Sequence, residues 1–282
     1  MTQCHSPGIL LSKASLRFNQ KILFENLSFE LAAGKITCLL GPSGVGKTTL
    51  LRILASLPLA GRGENKLQTL PATVKKPNPD ELIVHYDEQE VVCNARIRTS
   101  DQLPLRGRLA YMAQTDLLLP WLSLLDNVML GNLLRHVPRS QSQIDHAMHI
   151  LESVGLAEDA HHKPHALSSG MKQRGALART LMEDQPVILM DEPFSALDAI
   201  TRYDMQTMAA EKLQQKTVLL ITHDPWEALR LGHQIFILRG QPANLSAPII
   251  PPMMPPRDIT DEALLPFQKQ LLRELDLRIS VT

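Results

Sequence analysis

The chain carries no surplus of charge: 29 Lys and Arg residues balance 29 Asp and Glu residues. A protein that holds nucleic acid by neutralising phosphates needs a basic excess, so that class is disfavoured and no nucleic-acid partner is expected. Cysteine is scarce. Cys4, Cys38 and Cys93 are scattered without metal-ligand or disulfide spacing, which suits a reducing compartment. Long hydrophobic runs are missing as well. The nearest approach, Leu117 to Leu134, is broken by Pro120, Asp126 and Asn127, and a membrane-spanning helix needs roughly 20 apolar residues. The first residues include Cys4, His5, Ser6 and Pro7 instead of the basic start and apolar stretch of a signal peptide. Work at a membrane would therefore require docking on other subunits that span it. With 282 residues, 44% of them hydrophobic, there is material for one large or two small domains.

The most informative stretch is Gly41-Pro42-Ser43-Gly44-Val45-Gly46-Lys47-Thr48, a complete phosphate-binding loop of the form G-x-x-x-x-G-K-T. The apolar run Ile36-Thr37-Cys38-Leu39-Leu40 precedes it, as a buried parallel strand should. Thr49 to Leu54 follows as the opening of a helix. Glycines let backbone N–H groups converge on phosphate without Cβ obstruction, and the helix N-terminus adds partial positive charge. Lys47 is placed to reach the β- and γ-phosphates of a nucleotide, and the Thr48 hydroxyl to hold Mg²⁺. The alternative, a glycine-rich turn, does not account for the strand and helix on either side.

Downstream, Val187-Ile188-Leu189-Met190 ends in Asp191-Glu192. Two carboxylates thus stand at the carboxyl tip of a buried strand, where open α/β sheets place their chemistry. Asp191 suits the Mg²⁺ shell and Glu192 suits polarising a water. Standing alone, the Asp-Glu pair could equally be a solvated strand end.

Taken together, these motifs resemble the ATP-binding subunits of ABC transporters. Leu167-Ser168-Ser169-Gly170-Met171-Lys172-Gln173-Arg174 resembles the family's signature, just upstream of the Asp191-Glu192 run. Gln114 in Tyr111-Met112-Ala113-Gln114 resembles the Q-loop glutamine, Ser195-Ala196-Leu197-Asp198 the D-loop, and His223 the switch histidine. Phe18, 29 positions before Lys47, matches the aromatic that stacks on adenine. Each has a plainer reading: Gln114 as a polar strand end, His223 as a surface or capping histidine, Phe18 as core. The resemblance covers residues 18 to 223. It implies an α/β P-loop NTPase core of RecA type with a mainly parallel sheet, an antiparallel β subdomain and an inserted helical subdomain. It also implies a nucleotide site formed by Phe18, Gly41, Pro42, Ser43, Gly44, Val45, Gly46, Lys47, Thr48, Thr49 and Gln114. Ser168, Ser169, Gly170 and Asp198 would come from the other subunit of a dimer. Lys47, Glu192 and His223 would be catalytic, and Thr48, Gln114 and Asp191 would hold the metal.

Residues 8–240 are read as the ATPase domain and 241–282 as a proline-rich linker with a short amphipathic helix. Residues 9 to 31 alternate around Asn19-Gln20 as an antiparallel hairpin, and 121–185 read mostly as helix with a break at His161–Pro164. His161, His162 and His165 sit in a Lys-Pro loop without the Cys or carboxylate pattern of a metal site and are read as solvated. In the tail, Leu264, Phe267, Leu271, Leu275 and Ile279 fall at helical spacing. Two regions depart from the family. Lys47 and Gln114 are 67 positions apart, longer than usual. The excess, about 58–107, is either an extended β-arm around Leu82-Ile83-Val84 and Val91-Val92-Cys93 or, as the favoured reading, a mobile surface loop without function. In the signature, Ser169 stands where the first of two glycines is usual and Met171 where glutamine is usual.

The resemblance implies an ATPase that binds ATP and Mg²⁺, dimerises head to tail, and drives two integral-membrane permease subunits from the cytoplasmic face, with a solute-binding protein as indirect partner. Leu118–Val128 and Pro256-Arg257-Asp258-Ile259-Thr260 are similar to the nitrate, sulfonate and taurine importer branch, and Thr222–Leu231 to its pyrimidine and thiamine-precursor members. Alternatives are a soluble ABC ATPase, against which the absence of a second cassette or long coiled coil counts, and a regulatory module with weak turnover.

Overall fold

In the computed structural model, residues 6–18, 21–57, 81–88 and 91–275 are described. The strands are β1 (Ile9–Phe18), β2 (Lys21–Leu31), β3 (Ile36–Leu40), β4 (Glu81–Glu88), β5 (Val91–Thr99), β6 (Leu109–Met112), β7 (Val187–Asp191), β8 (Thr217–Ile221), β9 (Gln234–Arg239) and β10 (Asn244–Leu245). The helices are α1 (Lys47–Leu54), α2 (Leu124–Val128), α3 (Leu130–Leu134), α4 (Gln141–Ser153), α5 (Ser169–Met182), α6 (Ala199–Lys212), α7 (Pro225–Leu231) and α8 (Leu265–Leu275).

A six-stranded sheet runs in the order β10-β9-β3-β8-β7-β6. Its strands are parallel except for β10, which pairs antiparallel with β9 at one edge. Every residue of β3, β7 and β8 is buried, because helices and a second sheet cover both faces; this is why these strands read as continuous apolar runs. Alternation along the strands still divides two cores. Cys38, Leu40, Ile188, Met190 and Leu220 face α5, the rest of the helical part and the tail. Leu39, Leu189, Leu219 and Ile221 face α1 and the antiparallel sheet.

The antiparallel sheet has the order β2-β1-β5-β4. It overturns the surface-loop reading for part of the long stretch before Gln114. Strand β5 lies between β1 and β4, paired to β1 from Ile9↔Thr99 to Phe18↔Val91. Cys93, Ala95 and Ile97 point inward and are buried while Asn94, Arg96 and Arg98 are exposed. The period of two extends beyond the Val91-Val92-Cys93 core noticed in the sequence, and it makes β5 an interior strand. Residues 58–80 of that stretch lie outside the described residues, as do Asn19-Gln20 and Ile279.

Within 121–185 the helices gather around α5. Asn127, fully buried, ties down the loop before α2: Leu119 N–H donates to its Oδ1 at 2.7 Å, and its Nδ2 donates to the carbonyls of Leu119 and Ser123. Ser140 and Gln143 close a capping box on α4. His162 is exposed and lies 2.9 Å from Asp159.

The proline-rich tail is more than a linker. Arg257 is 3% exposed, and its guanidinium donates to the carbonyls of Leu229 and Gly232 at the end of α7 and of Pro251, Pro252 and Met253. Leu264 and Leu271 are buried and Phe267 and Leu275 partly so, which packs α8 on the core.

Candidate functional site

The phosphate-binding loop spans the gap between β3 and α1. Gly46 is the N-cap of α1 at φ 111, a left-handed conformation that L side chains rarely adopt, and a Cβ there would stand 2.8 Å from Leu23 Cδ2. At Gly41 a Cβ would meet the Leu238 carbonyl oxygen, so the loop can pass that strand only without a side chain. No side chain caps α1. Its first N–H groups are therefore left for an anion. Pro42, Ser43, Gly44 and Thr48 are exposed on the loop's outer side, Thr49 is half-buried, and Val45 is buried against Leu39 and its neighbours.

Lys47 is 6% exposed and its Nζ donates to the carbonyls of Gly41 and Pro42 at 2.7 and 3.0 Å. Burial lowers its pKa, opposed by the nearby Glu192 and Asp191 carboxylates. Asp191, at the end of β7, is 1% exposed; burial raises its pKa, a hydrogen bond from Thr48 lowers it, and Glu192 raises it again. Its Oδ2 has no hydrogen-bond partner. An orphaned buried carboxylate oxygen beside a threonine hydroxyl is a donor set for a hard, oxygen-loving cation, so the residues fit Mg²⁺.

Glu192 is held in the left-handed region at φ 49, a conformation that costs a non-glycine residue of order 1–3 kcal/mol. The surroundings impose it. Its N–H donates to the Ile221 carbonyl at 2.9 Å, and its own carbonyl accepts from Gln173 Nε2 at 3.0 Å and Ser195 Oγ at 3.1 Å. The carboxylate is engaged on both oxygens, by His223 Nδ1 at 3.2 Å and by Gln114 Nε2 at 3.3 Å. Gln114 follows β6 and His223 follows β8, so three adjacent parallel strands deliver the cluster at their carboxyl ends.

The other expected residues lie elsewhere. Ser168 is the N-cap of α5, its hydroxyl accepting from Met171 N–H at 3.2 Å. Ser169 is exposed in the first turn, and Gly170 lies against Ala196 and Leu197, not against the chain's own phosphate loop. Asp198 is exposed and caps α6 through Thr201 N–H at 3.0 Å. Phe18 is half-buried at the end of β1, packed on the core beneath the antiparallel sheet.

Reading the sequence missed the residues that fasten these loops together. Gln173, 5% exposed, reaches from α5 to the Glu192 carbonyl and Ser195 Oγ, and its Oε1 accepts from Ala196 N–H at 2.8 Å. Arg202 donates to the Leu197 carbonyl at 2.8 Å and stands 3.7 Å from Asp224. Glu227 on α7 is buried behind the switch loop. Only Gln173 carried a signal, as a polar residue on the apolar face of a helix.

A profile of the ABC transporter family matches residues 24–195. An uncharacterised ABC transporter ATP-binding protein of Haemophilus influenzae is 40% identical over 95% of the chain and 98% of its own length. Aliphatic sulfonates import ATP-binding proteins of Rhodococcus jostii and Yersinia pestis are 35% and 37% identical, over 94% and 82% of the chain and 92% and 72% of their own lengths. Among solved structures, a dimeric bacterial ABC transporter cassette is similar at TM-score 0.64 and 26% identity, over 86% of the chain and 98% of its own. A dimeric cassette bound to ADP and Pi superposes at TM-score 0.65 and 24% identity, over 86% of the chain and 98% of its own.

Proposed function

The chain belongs to the ABC transporter family, and from that premise we propose that it is the ATP-hydrolysing subunit of an importer for a small sulfonate-like nutrient. The observation that carries the proposal is the meeting of Gln114, Asp191, Glu192 and His223 at the ends of β6, β7 and β8, beside a phosphate loop whose lysine points inward. Relatives named as sulfonate importers, matched over most of their length, support the substrate class.

ATP binds with its phosphates on the free N–H groups of α1. Lys47 exchanges the carbonyls of Gly41 and Pro42 for the β- and γ-phosphates, and Phe18 stacks on the adenine. Thr48, Asp191 and Gln114 would hold Mg²⁺, which would neutralise charge developing on the phosphoryl oxygens. Glu192 gives up its contact with Gln114 or His223 and accepts a proton from a water. That water's oxygen attacks the γ-phosphorus while the bridging oxygen leaves with ADP. His223 stays beside the γ-phosphate. Ser168, Ser169, Gly170 and Asp198 of a second copy complete the site, so that hydrolysis and dimer opening are one cycle.

Among the described residues no helix is long and apolar enough to cross a membrane. The exposed Leu117, Trp121, Leu133 and Leu134, between 60 and 70% accessible, suit a docking surface for membrane permease subunits. On this reading the protein works at the cytoplasmic face, with a solute-binding protein acting through the permease.

Glu192→Gln tests the reading. It should keep ATP binding, lose hydrolysis by about two to four orders of magnitude as for a lost general base, and accumulate an ATP-bound dimer on size-exclusion chromatography. Wild-type turnover in this variant would remove Glu192 from the role of base.

A further inference from the structure

Glu192 stands against its own local preferences. It precedes Pro193, whose ring biases the residue before it toward extended backbone, yet it is held at φ 49. A non-glycine residue keeps such a conformation only where its surroundings over-determine it. The Ile221 carbonyl fixes the Glu192 N–H at 2.9 Å, on one side of the residue. On the other side the chain turns at once. The turn's own bonds are long: Ser195 N–H to the Glu192 carbonyl and Leu197 N–H to the Phe194 carbonyl, both at 3.3 Å.

Shorter bonds reach this turn from one side chain of another element. Gln173 of α5 donates through Nε2 to the Glu192 carbonyl at 3.0 Å and to Ser195 Oγ at 3.1 Å, and its Oε1 accepts from Ala196 N–H at 2.8 Å. Ser195 Oγ passes its own proton to the same Glu192 carbonyl at 3.1 Å. A single amide thus grips the turn at residues 192, 195 and 196. Gln173 shares its helix face with the buried Ala176 and Leu177. A leucine would fill the place without desolvating an amide, so hydrogen bonds are what the glutamine supplies. The start of α5 meets the same turn, for a Cβ at Gly170 would stand 3.5 Å from the Ala196 carbonyl oxygen.

We propose that Gln173 is a positioning residue for the general base: its amide holds Glu192 in the left-handed conformation and ties it to the start of α5. The proposal rests on the ATPase reading above, in which Glu192 accepts a proton from the attacking water. Without the amide, Glu192 relaxes toward the extended backbone that Pro193 favours. Its carboxylate then leaves His223 and Gln114, which it meets at 3.2 and 3.3 Å. Gln173 touches the Glu192 carbonyl and not the carboxylate, and it makes no contact with Lys47 or the phosphate loop, so nucleotide binding does not depend on it. It also lies on the helix whose first residues face the second copy's nucleotide in the proposed dimer. Seating α5 on that nucleotide and aligning this chain's own base are therefore one movement.

The experiment measures kcat and the KM for ATP of the full chain assembled with its permease, and size-exclusion chromatography of the full chain with ATP and Mg²⁺. Gln173→Met keeps the side chain's length and removes its amide. It should lower kcat about ten- to hundredfold, as for a displaced catalytic group, with KM within about twofold. It should also accumulate an ATP-bound dimer, as Glu192→Gln should, because binding and dimerisation survive while hydrolysis stalls. Ser195→Ala leaves the Gln173 bond to the Glu192 carbonyl and should lower kcat by no more than about threefold, the low end of one hydrogen bond's worth. The Glu192→Gln/Gln173→Met double variant should be no slower than Glu192→Gln, since no base remains to be positioned. Four results would each overturn the proposal: kcat near wild type in Gln173→Met, a fall in kcat without the ATP-bound dimer, a Ser195→Ala loss as large as that of Gln173→Met, or a further loss in the double variant. If Gln173→Met does not fold, the same readings on Gln173→Glu decide; it keeps the acceptor for Ala196 N–H, removes the amide protons and should lower kcat in the same way. Absence of ATPase in the wild-type assembly would instead overturn the hydrolytic reading itself.

Discussion

Helix α1 begins at Gly46, with φ 111 and no side-chain cap, while α5 begins at Ser168, whose hydroxyl caps Met171 N–H at 3.2 Å. Both helix starts are proposed to meet phosphate. The first carries its own cation: Lys47 is buried at the loop's centre, and Asp191 stands behind Thr48. The second has no cation until Lys172, its fourth residue, and leaves Ser169 exposed. One start is therefore a complete cradle within the chain. The other is a surface that acquires meaning only opposite a second nucleotide. The backbones reflect this. Around Gly46 the chain is tightly packed, whereas a Cβ at Gly170 would make only ordinary contacts, at 3.5 Å from Ala196 O and Leu197 Cδ2.

The sharpest way to break the comparison is to remove the cation from the cradle. Lys47→Ala should lower kcat by at least about 10²–10³-fold, the cost of losing one preorganised charge on a developing oxyanion, without loss of fold by circular dichroism. Near-normal turnover would dissolve the distinction between the two helix starts.

A paired substitution comes next. Gly46→Ala should weaken ATP binding and cost about 1–3 kcal/mol of stability, because alanine there is both strained and in contact with Leu23. Gly170→Ala should leave the melting temperature unchanged and lower turnover only under conditions where two copies meet. Nucleotide titration of each variant at low and high protein concentration separates them. If Gly170→Ala weakens nucleotide binding in dilute monomer, the signature acts within its own chain and the comparison fails.

The smallest effect is expected at Ser169. Ser169→Gly should raise turnover by no more than a few-fold, because it removes a Cβ from the approach to the partner's nucleotide and costs little at a helix start. A several-fold fall with fold and dimer intact would show that the hydroxyl contacts phosphate, and would make the second helix start a more specific site than the comparison allows.

Legibility in the sequence followed the same division. The phosphate loop was readable because its chemistry is local: glycines, lysine and threonine must be contiguous to wrap one group of oxygens. The strands β3, β7, β8 and β9 were readable because burial on both faces leaves uninterrupted apolar runs. The interior position of β5 was harder to read. Its alternation of Cys93, Ala95 and Ile97 with polar residues describes a strand with one covered face but does not say which strand lies beside it. The pairing with β1 joins residues more than 70 positions apart, and nothing local encodes that partner.

By itself the sequence determined which residues can bind phosphate, which can hold a cation and which can move a proton, because those capacities belong to side-chain chemistry and to short spacings. Only the tertiary structure decided how those groups are aimed. Gln114, Glu192 and His223 converge because β6, β7 and β8 lie side by side and parallel. Gln173 and Glu227 lie against the Glu192 and His223 loops because packing buries them there. Arg257 closes the proline-rich tail over the end of α7 by finding five carbonyls from two segments. A buried polar group must be paired, and its partners are chosen by whatever backbone the fold brings within about 3 Å. That choice is made in three dimensions, across separations in sequence that no local pattern records.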